Sequence, residues 1–143
     1  MRVVLDTSTL IAAHISRAGV CAELMEDALL NHELIISEFI LDELHRKLRD
    51  KFAFPESDIR EVAAFLRTAA TIVVPTELPP DCCRAKDDIP LLGTAVAGHA
   101  ELFITVDRDL LELVAFREIA ILRPGEYWER TARQGSPCFC CQE

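Results

Sequence analysis

The sequence predicts an α/β domain with a mostly parallel central sheet of about five strands and helices on both faces. Three observations predict it. Short β-branched runs alternate along the chain with segments whose apolar residues recur at helical spacing. Successive strand-like runs are separated by helical segments, which calls for right-handed crossovers and parallel pairing. Half of the 143 residues are apolar, enough for one real core and too many for a disordered chain.

The elements follow in order. Arg2–Asp6 is a short apolar run ending in an acid and reads as a buried strand. Thr7 to about Ser16 reads as a helix, interrupted near Gly19, and Leu24, Met25, Ala28 and Leu29 mark a second helix over Val20–Leu30. Glu33–Ser37 is the second strand. Ser37 then sits at the N-cap of a helix whose face is Ile40, Leu41, Leu44 and Leu48. Pro55-Glu56-Ser57 punctuates, and Ile59, Val62, Ala63 and Leu66 form the next helical stripe. Thr71–Val74 is strand three, followed by a proline-rich loop over Pro75–Ala85. Asp88 to about His99 is helical, with Leu91, Leu92, Ala95 and Val96 inward; Leu102–Thr105 is strand four, Asp107–Val114 a short helix and Glu118–Leu122 strand five. Residues 1–130 thus form one domain. Residues 131–143 lack periodicity and are expected to be a flexible, Cys-containing tail.

Charge and cysteine content narrow the function classes. Lys and Arg number 15 against 24 Asp and Glu, a net charge of −9. That opposes passive, whole-surface nucleic-acid binding, which needs cations to neutralise phosphates. It does not oppose a nuclease whose carboxylates hold metal ions. No apolar run approaches the roughly 20 residues that span a bilayer, and Met1–Asp6 meets an acid too soon for a signal peptide, so the expected setting is cytoplasmic, with no membrane partner. Of six cysteines, Cys21 reads as a small core residue of a helix. Cys82–Cys83 and Cys138, Cys140 and Cys141 lack the spacing of structural zinc sites and read as reduced thiols.

In open parallel sheets, ligands bind at the carboxyl ends of the strands. Asp6 closes strand one, Asp107 and Asp109 follow strand four, and Asp87 and Asp88 open the helix leading into strand four. Glu43 borders the apolar face of the helix after strand two. Leu91, Leu92 and Ala95 lie at +3, +4 and +7 from Asp88, which places Asp88 above that buried face. Four acids from four segments, Asp6, Glu43, Asp88 and Asp107, could therefore meet. Two carboxylates about 4 Å apart repel by about 4 kcal/mol at an effective dielectric of about 20. Protons or a cation must offset that, and an all-oxygen set suits Mg²⁺ or Mn²⁺. Singly, each of these acids also fits a capping or solvated role; Asp6, ending a buried strand, most needs a partner or a purpose.

These residues resemble the PIN-domain nucleases. Val4-Leu5-Asp6-Thr7-Ser8-Thr9-Leu10-Ile11 is similar to the opening motif of that family, and Ser37-Glu38-Phe39-Ile40-Leu41-Asp42-Glu43-Leu44 to its second. Asp87-Asp88-Ile89-Pro90-Leu91-Leu92 through Ala97 resembles the third, and Ile104-Thr105-Val106-Asp107-Arg108-Asp109-Leu110-Leu111 the fourth. Leu122-Arg123-Pro124-Gly125-Glu126-Tyr127 is similar to the segment after the last strand in toxin members. The likeness spans about residues 2–128, with Val106 where the family often has Gly and Ile89-Pro90 in place of polar residues. That departure leaves Asp87 and Asp88 as alternatives for the third acid, and the helical spacing favours Asp88.

The resemblance implies a three-layer α/β/α fold and a Mg²⁺- or Mn²⁺-dependent ribonuclease. It implies Asp6, Glu43, Asp88 and Asp107 as catalytic metal-holding acids, Asp109 as a fifth ligand, and Ser8 and Thr105 as supporting donors. RNA is the implied substrate, hydrolysed in line to 5′-phosphate and 3′-hydroxyl ends. Many relatives are VapC-like toxins, so a cognate antitoxin and a homodimer are the implied protein partners. Arg17, Arg84, Lys86 and Arg108 are candidate phosphate contacts by proximity in sequence, and His14 could face the site. The rival readings are a PIN fold that only binds or regulates RNA and an acidic phosphotransfer or receiver domain. The last fits poorly, because Ser8 stands where a phosphotransferase needs a second Asp and no Lys follows Lys86.

Overall fold

The computed structural model describes residues 1–16, 19–83 and 86–135. Its order is β1 (Arg2–Leu5), α1 (Thr7–Ile15), α2 (Val20–Asn31), β2 (Glu33–Ser37), α3 (Glu38–Asp50), α4 (Glu56–Ala69) and β3 (Thr71–Val73), then a 3₁₀ turn (Lys86–Asp88), α5 (Ile89–Ala97), β4 (Leu102–Ile104), α6 (Arg108–Leu111), β5 (Ala115–Phe116), β6 (Ile119–Leu122) and α7 (Pro124–Gly135). The sheet runs β3-β2-β1-β4-β6-β5, parallel throughout except for the β5–β6 hairpin. β1 lies in its interior, with Val4 opposite Ile35 of β2 and Phe103 of β4.

This order has a mechanical consequence. From β1 the chain winds outward to β2 and β3, then returns across the sheet to β4 and winds the other way. Right-handed crossovers place α1–α4 on one face and α5 on the other, giving the expected three layers. The reversal leaves a crevice between the carboxyl ends of β1 and β4, where open parallel sheets bind ligands.

The core is built from the alternation that the sequence displays. Val3, Val4, Leu5, Leu34, Ile35, Ile36, Leu102, Phe103 and Ile104 are all buried, as strands covered on both faces require. α3 buries Ile40, Leu41, Leu44 and Leu48 on one stripe, and its N-cap Ser37 accepts from the Ile40 N–H at 3.4 Å. On the opposite face α5 packs close to the sheet. A Cβ at Gly98 would sit 2.4 Å from Ile35 Cγ2, and one at Gly93 would sit 2.4 Å from the Thr76 carbonyl oxygen. Glycine at both positions lets α5 settle against β2 and the segment after β3.

Four details depart from the sequence expectation. The sheet has six strands, because the two-residue β5 is too short to carry a periodic signal. The 107–114 helix shortens to α6, since Val114, at φ 63°, turns the chain into β5. Asp88 ends a 3₁₀ turn at the N-cap position of α5, without a side-chain capping bond, and does not open the helix itself, while Pro90 falls in the first turn, where its missing N–H costs little. Finally, α7 continues through the boundary expected at residue 131: Thr131 is buried and donates to the Tyr127 carbonyl at 3.0 Å. Residues 136–143, with Cys138, Cys140 and Cys141, lie outside the described residues, as do Arg17 and Arg84. No helix among the described residues is long and apolar enough to cross a membrane.

α7 is pinned to α2 by a buried polar contact. Tyr127, fully buried, donates to Asp27 Oδ2 at 2.6 Å; Asp27 also accepts from Asn31 at 2.7 Å and lies 3.5 Å from His32 Nε2. Burial, then this bond to Asp27, pushes the phenol well above its ordinary pKa. Hydrogen bonds to charged groups contribute about 1.5–3 kcal/mol. Tyr127→Phe is therefore expected to lower the unfolding free energy by that amount in urea titrations, with the slope of the transition unchanged.

Candidate active site

β1 and β4 end side by side, and Asp6 and Thr105 are the next residues. The Asp6 N–H extends the ladder by donating to Ile104 O at 3.0 Å, and the Thr105 N–H does the same to Leu122 O at 3.0 Å. Asp6 is 3% exposed and caps α1. Its Oδ1 accepts from the Thr9 N–H at 3.0 Å and the Thr9 hydroxyl at 3.1 Å, and its Oδ2 accepts from the Thr105 hydroxyl. Burial raises its pKa, and the Asp107 charge adds to that rise, against the lowering effect of these hydrogen bonds.

Thr105 is fully buried and works in two directions. It donates to Asp6 and accepts from the Asp107 N–H at 3.0 Å. Asp107 in turn caps α6, with Oδ1 accepting from the N–H groups of Asp109 at 2.8 Å and Leu110 at 3.4 Å. One hydroxyl thus joins the residue after β1 to the residue that starts α6.

Glu43 projects from the second turn of α3 with its side chain 13% exposed. The Thr7 hydroxyl donates to Oε1 at 2.5 Å, while Lys47 Nζ and Arg46 lie 3.9 and 4.0 Å from Oε2. Asp88 completes the group. Its pKa is pushed up to about 6, first by burial and then by the charges of Asp107, Asp6, Glu43 and Asp109. Those charges show that all four motif acids and Asp109 share one electrostatic neighbourhood. Between the alternatives for the third position, Asp87 is exposed and Asp88 is turned inward.

Asp88 Oδ2 is buried and, alone among the buried side-chain oxygens and nitrogens described, has no hydrogen-bond partner. A buried carboxylate oxygen beside other carboxylates is costly unless a proton or cation meets it. The donor chemistry fits a hard divalent ion, since every candidate ligand is a carboxylate oxygen. Among the described residues no three such side chains already close around a common point. Like charges this close repel, which a bound cation would offset.

The remaining candidates fall elsewhere. Ser8 is exposed, and the hydroxyls that touch the acids are Thr7, Thr9 and Thr105. Thr7 and Thr9 escaped the sequence reading because a hydroxyl flanking an acid carries no spacing signature; the Thr7-Ser8-Thr9 run after Asp6 was the available hint. Lys86 and Arg108 are exposed near the acids. His14 bonds back to Leu10 O at 2.8 Å and lines a cavity of about 650 Å³ with Met25, Leu29, Phe54 and Phe65, a cavity to which none of the motif acids contributes. Cys21 is only half-buried on α2, yet burial and then the Asp6 charge push its thiol up, so it borders the site and is not a core residue. Cys83, expected on an open loop, is buried against the core, with Cys82 packed beside it.

The sequence matches the PIN domain over residues 2–109. The chain belongs to the PIN-domain family. Two solved structures share its fold. VapBC2 from Rickettsia felis, bound to a DNA fragment from its promoter, aligns with TM-score 0.61 at 13% identity, over 86% of this chain and 98% of the other. VapBC-1 from nontypeable Haemophilus influenzae aligns with TM-score 0.61 at 17% identity, over 87% and 99%. No curated protein matches the sequence. The family assignment bears out the sequence resemblance, and the alignments bear out the three-layer fold.

The Asp88 environment predicts a pH signature for this PIN domain. A carboxyl whose pKa rises on folding adds stability below its unfolded value near 3.8, and that stability is lost as pH rises through about 6. Relative to wild type, metal-free Asp88→Asn protein is expected to gain in thermal midpoint progressively between pH 4 and 6.5. Parallel midpoint curves for the two proteins would refute the assigned environment.

Proposed function

We propose that this PIN domain is a Mg²⁺- or Mn²⁺-dependent ribonuclease and the toxin of a toxin–antitoxin pair. The observation that carries the nuclease reading is the unpartnered, buried Asp88 oxygen, set among Asp6, Glu43, Asp107 and Asp109 at the crevice between β1 and β4. Asp6, Glu43, Asp88 and Asp107 would hold the metal, with Asp109 as a further ligand. A divalent ion there supplies an activated water and offsets charge on a phosphodiester oxygen.

The chain's own residues do the rest. Thr9 and Thr105 fix the orientation of Asp6, so its carboxylate is already aimed when an ion arrives. Thr105 also holds the start of α6, and with it Asp107. Lys86 and Arg108, exposed and adjacent in sequence to the third and fourth acids, are the proposed contacts for phosphates flanking the scissile bond. The toxin reading, with an antitoxin partner, is supported by the shared fold of VapBC proteins from two bacteria.

The test is cleavage of a mixed set of single-stranded RNAs by purified protein in Mn²⁺, Mg²⁺ or EDTA. Cleavage is expected with either metal and not with EDTA. Removing groups that stabilise developing charge typically costs on the order of 100-fold or more, and a loss of that order is expected for both Asp6→Asn and Asp88→Asn. Activity that survives both substitutions would place the chemistry elsewhere. Metal binding without cleavage of any RNA would favour a binding role for the fold.

A further inference from the structure

We propose that Thr7 is a positioning residue, whose buried hydroxyl holds the Glu43 carboxylate at the metal site against the pull of Lys47 and Arg46 on Glu43's own helix. The inference rests on the metal-site reading above and names a residue which that reading does not use.

Other helical threonines show what is unusual. The Thr68, Thr94 and Thr131 hydroxyls each donate to the backbone carbonyl four residues earlier, Ala64, Pro90 and Tyr127. This is the default for threonine inside a helix. Thr7 is the first residue of α1, where no helical carbonyl lies four residues back. Its hydroxyl is therefore available to reach across 36 positions of sequence to Glu43 Oε1, at 2.5 Å. Thr7 is 2% exposed, so water does not compete for that donor.

Glu43 needs such a hold. A glutamate side chain released from contacts regains about 1.5–2 kcal/mol of rotamer freedom. Two cations on α3, Lys47 and Arg46, stand 3.9 and 4.0 Å from its other oxygen, and without the Thr7 bond they would be the partners left to direct the carboxylate. Because Thr7 directly follows Asp6, its hydroxyl ties Glu43 to the strand end that carries Asp6. The two acids are thus held to one rigid segment, although they lie on different elements.

The test is Mn²⁺ affinity, read by electron paramagnetic resonance of the unbound ion at pH 8, alongside thermal midpoints. Loss of a hydrogen bond that orients a ligand typically weakens metal binding about 10–100-fold. Thr7→Val, which keeps the shape and deletes the hydroxyl, is expected to weaken binding in that range. Thr7→Ser, which keeps the hydroxyl, is expected to bind close to wild type. Should Thr7→Val not fold, Thr7→Ala makes the same comparison without placing a methyl against the carboxylate. Lys47→Met is expected to strengthen binding more in the Thr7→Val background than in wild type, because only there is Glu43 released to Lys47.

Wild-type affinity in folded Thr7→Val and Thr7→Ala, with affinity lost in Glu43→Gln, would overturn the role of Thr7 and leave the metal site standing. Equal weakening in Thr7→Ser and Thr7→Val would also overturn it, as the hydroxyl would then not matter. Equal gain from Lys47→Met in both backgrounds would overturn the opposed pull. If Asp6→Asn binds Mn²⁺ as wild type does, the metal-site reading itself fails and takes this inference with it.

Discussion

A carboxylate buried at the end of a central parallel strand must be satisfied, or it costs several kcal/mol. Asp6 is that group, and three donors meet it: the Thr9 N–H, the Thr9 hydroxyl and the Thr105 hydroxyl. Satisfying it starts α1, because the Thr9 contacts are an N-cap. It also ties the ends of β1 and β4 together beyond their last ladder pair, Leu5 with Ile104. Through the second bond of Thr105, it sets where α6 begins. The same few atoms therefore fix the sheet edge and aim the acids.

Capping need not compete with the proposed metal holding in this site. Asp107 uses Oδ1 to cap α6, and Glu43 uses Oε1 to receive Thr7 while Oε2 faces Lys47 and Arg46. A carboxylate oxygen has two lone pairs, so an oxygen already receiving one donor can still meet a cation. Asp88 differs from the others. Its buried Oδ2 has no donor, and burial followed by the charges of the neighbouring acids raises its proton affinity. The site is thus hydrogen-bonded at Asp6 and Asp107 and unsatisfied at Asp88. That combination favours capture of a cation over collapse into internal hydrogen bonds.

A cavity of about 650 Å³ lies between α1, α2 and α4, and none of its lining residues is one of the motif acids. The proposed phosphodiester chemistry would instead use the sheet edge, where charge would hold a substrate on an open surface. A deep apolar pocket would suit a small organic ligand better than a polymer.

Much of the fold was legible in the sequence. Buried strands read as apolar runs, helices as stripes such as Ile40, Leu41, Leu44 and Leu48, and boundaries as Ser37 and Pro55. Signals that need several residues are absent where elements are short: β5 has two residues, and α6 is four residues shorter than its pattern suggests. α7 carries an amphipathic pattern, but its anchoring by Tyr127 on Asp27, 100 positions away, is visible only in the fold. The acids were legible because strand ends and helix starts are local features, and the order of elements brings strand ends to one edge. What only the tertiary structure decided is which hydroxyl serves which acid and which oxygen is left without a donor. Thr105 reaches Asp6 across 99 positions and Thr7 reaches Glu43 across 36. Those pairings depend on the register of β1 against β4 and the docking of α3 on α1, because a hydrogen bond tolerates only a few tenths of an ångström, a precision that no residue spacing along the chain encodes.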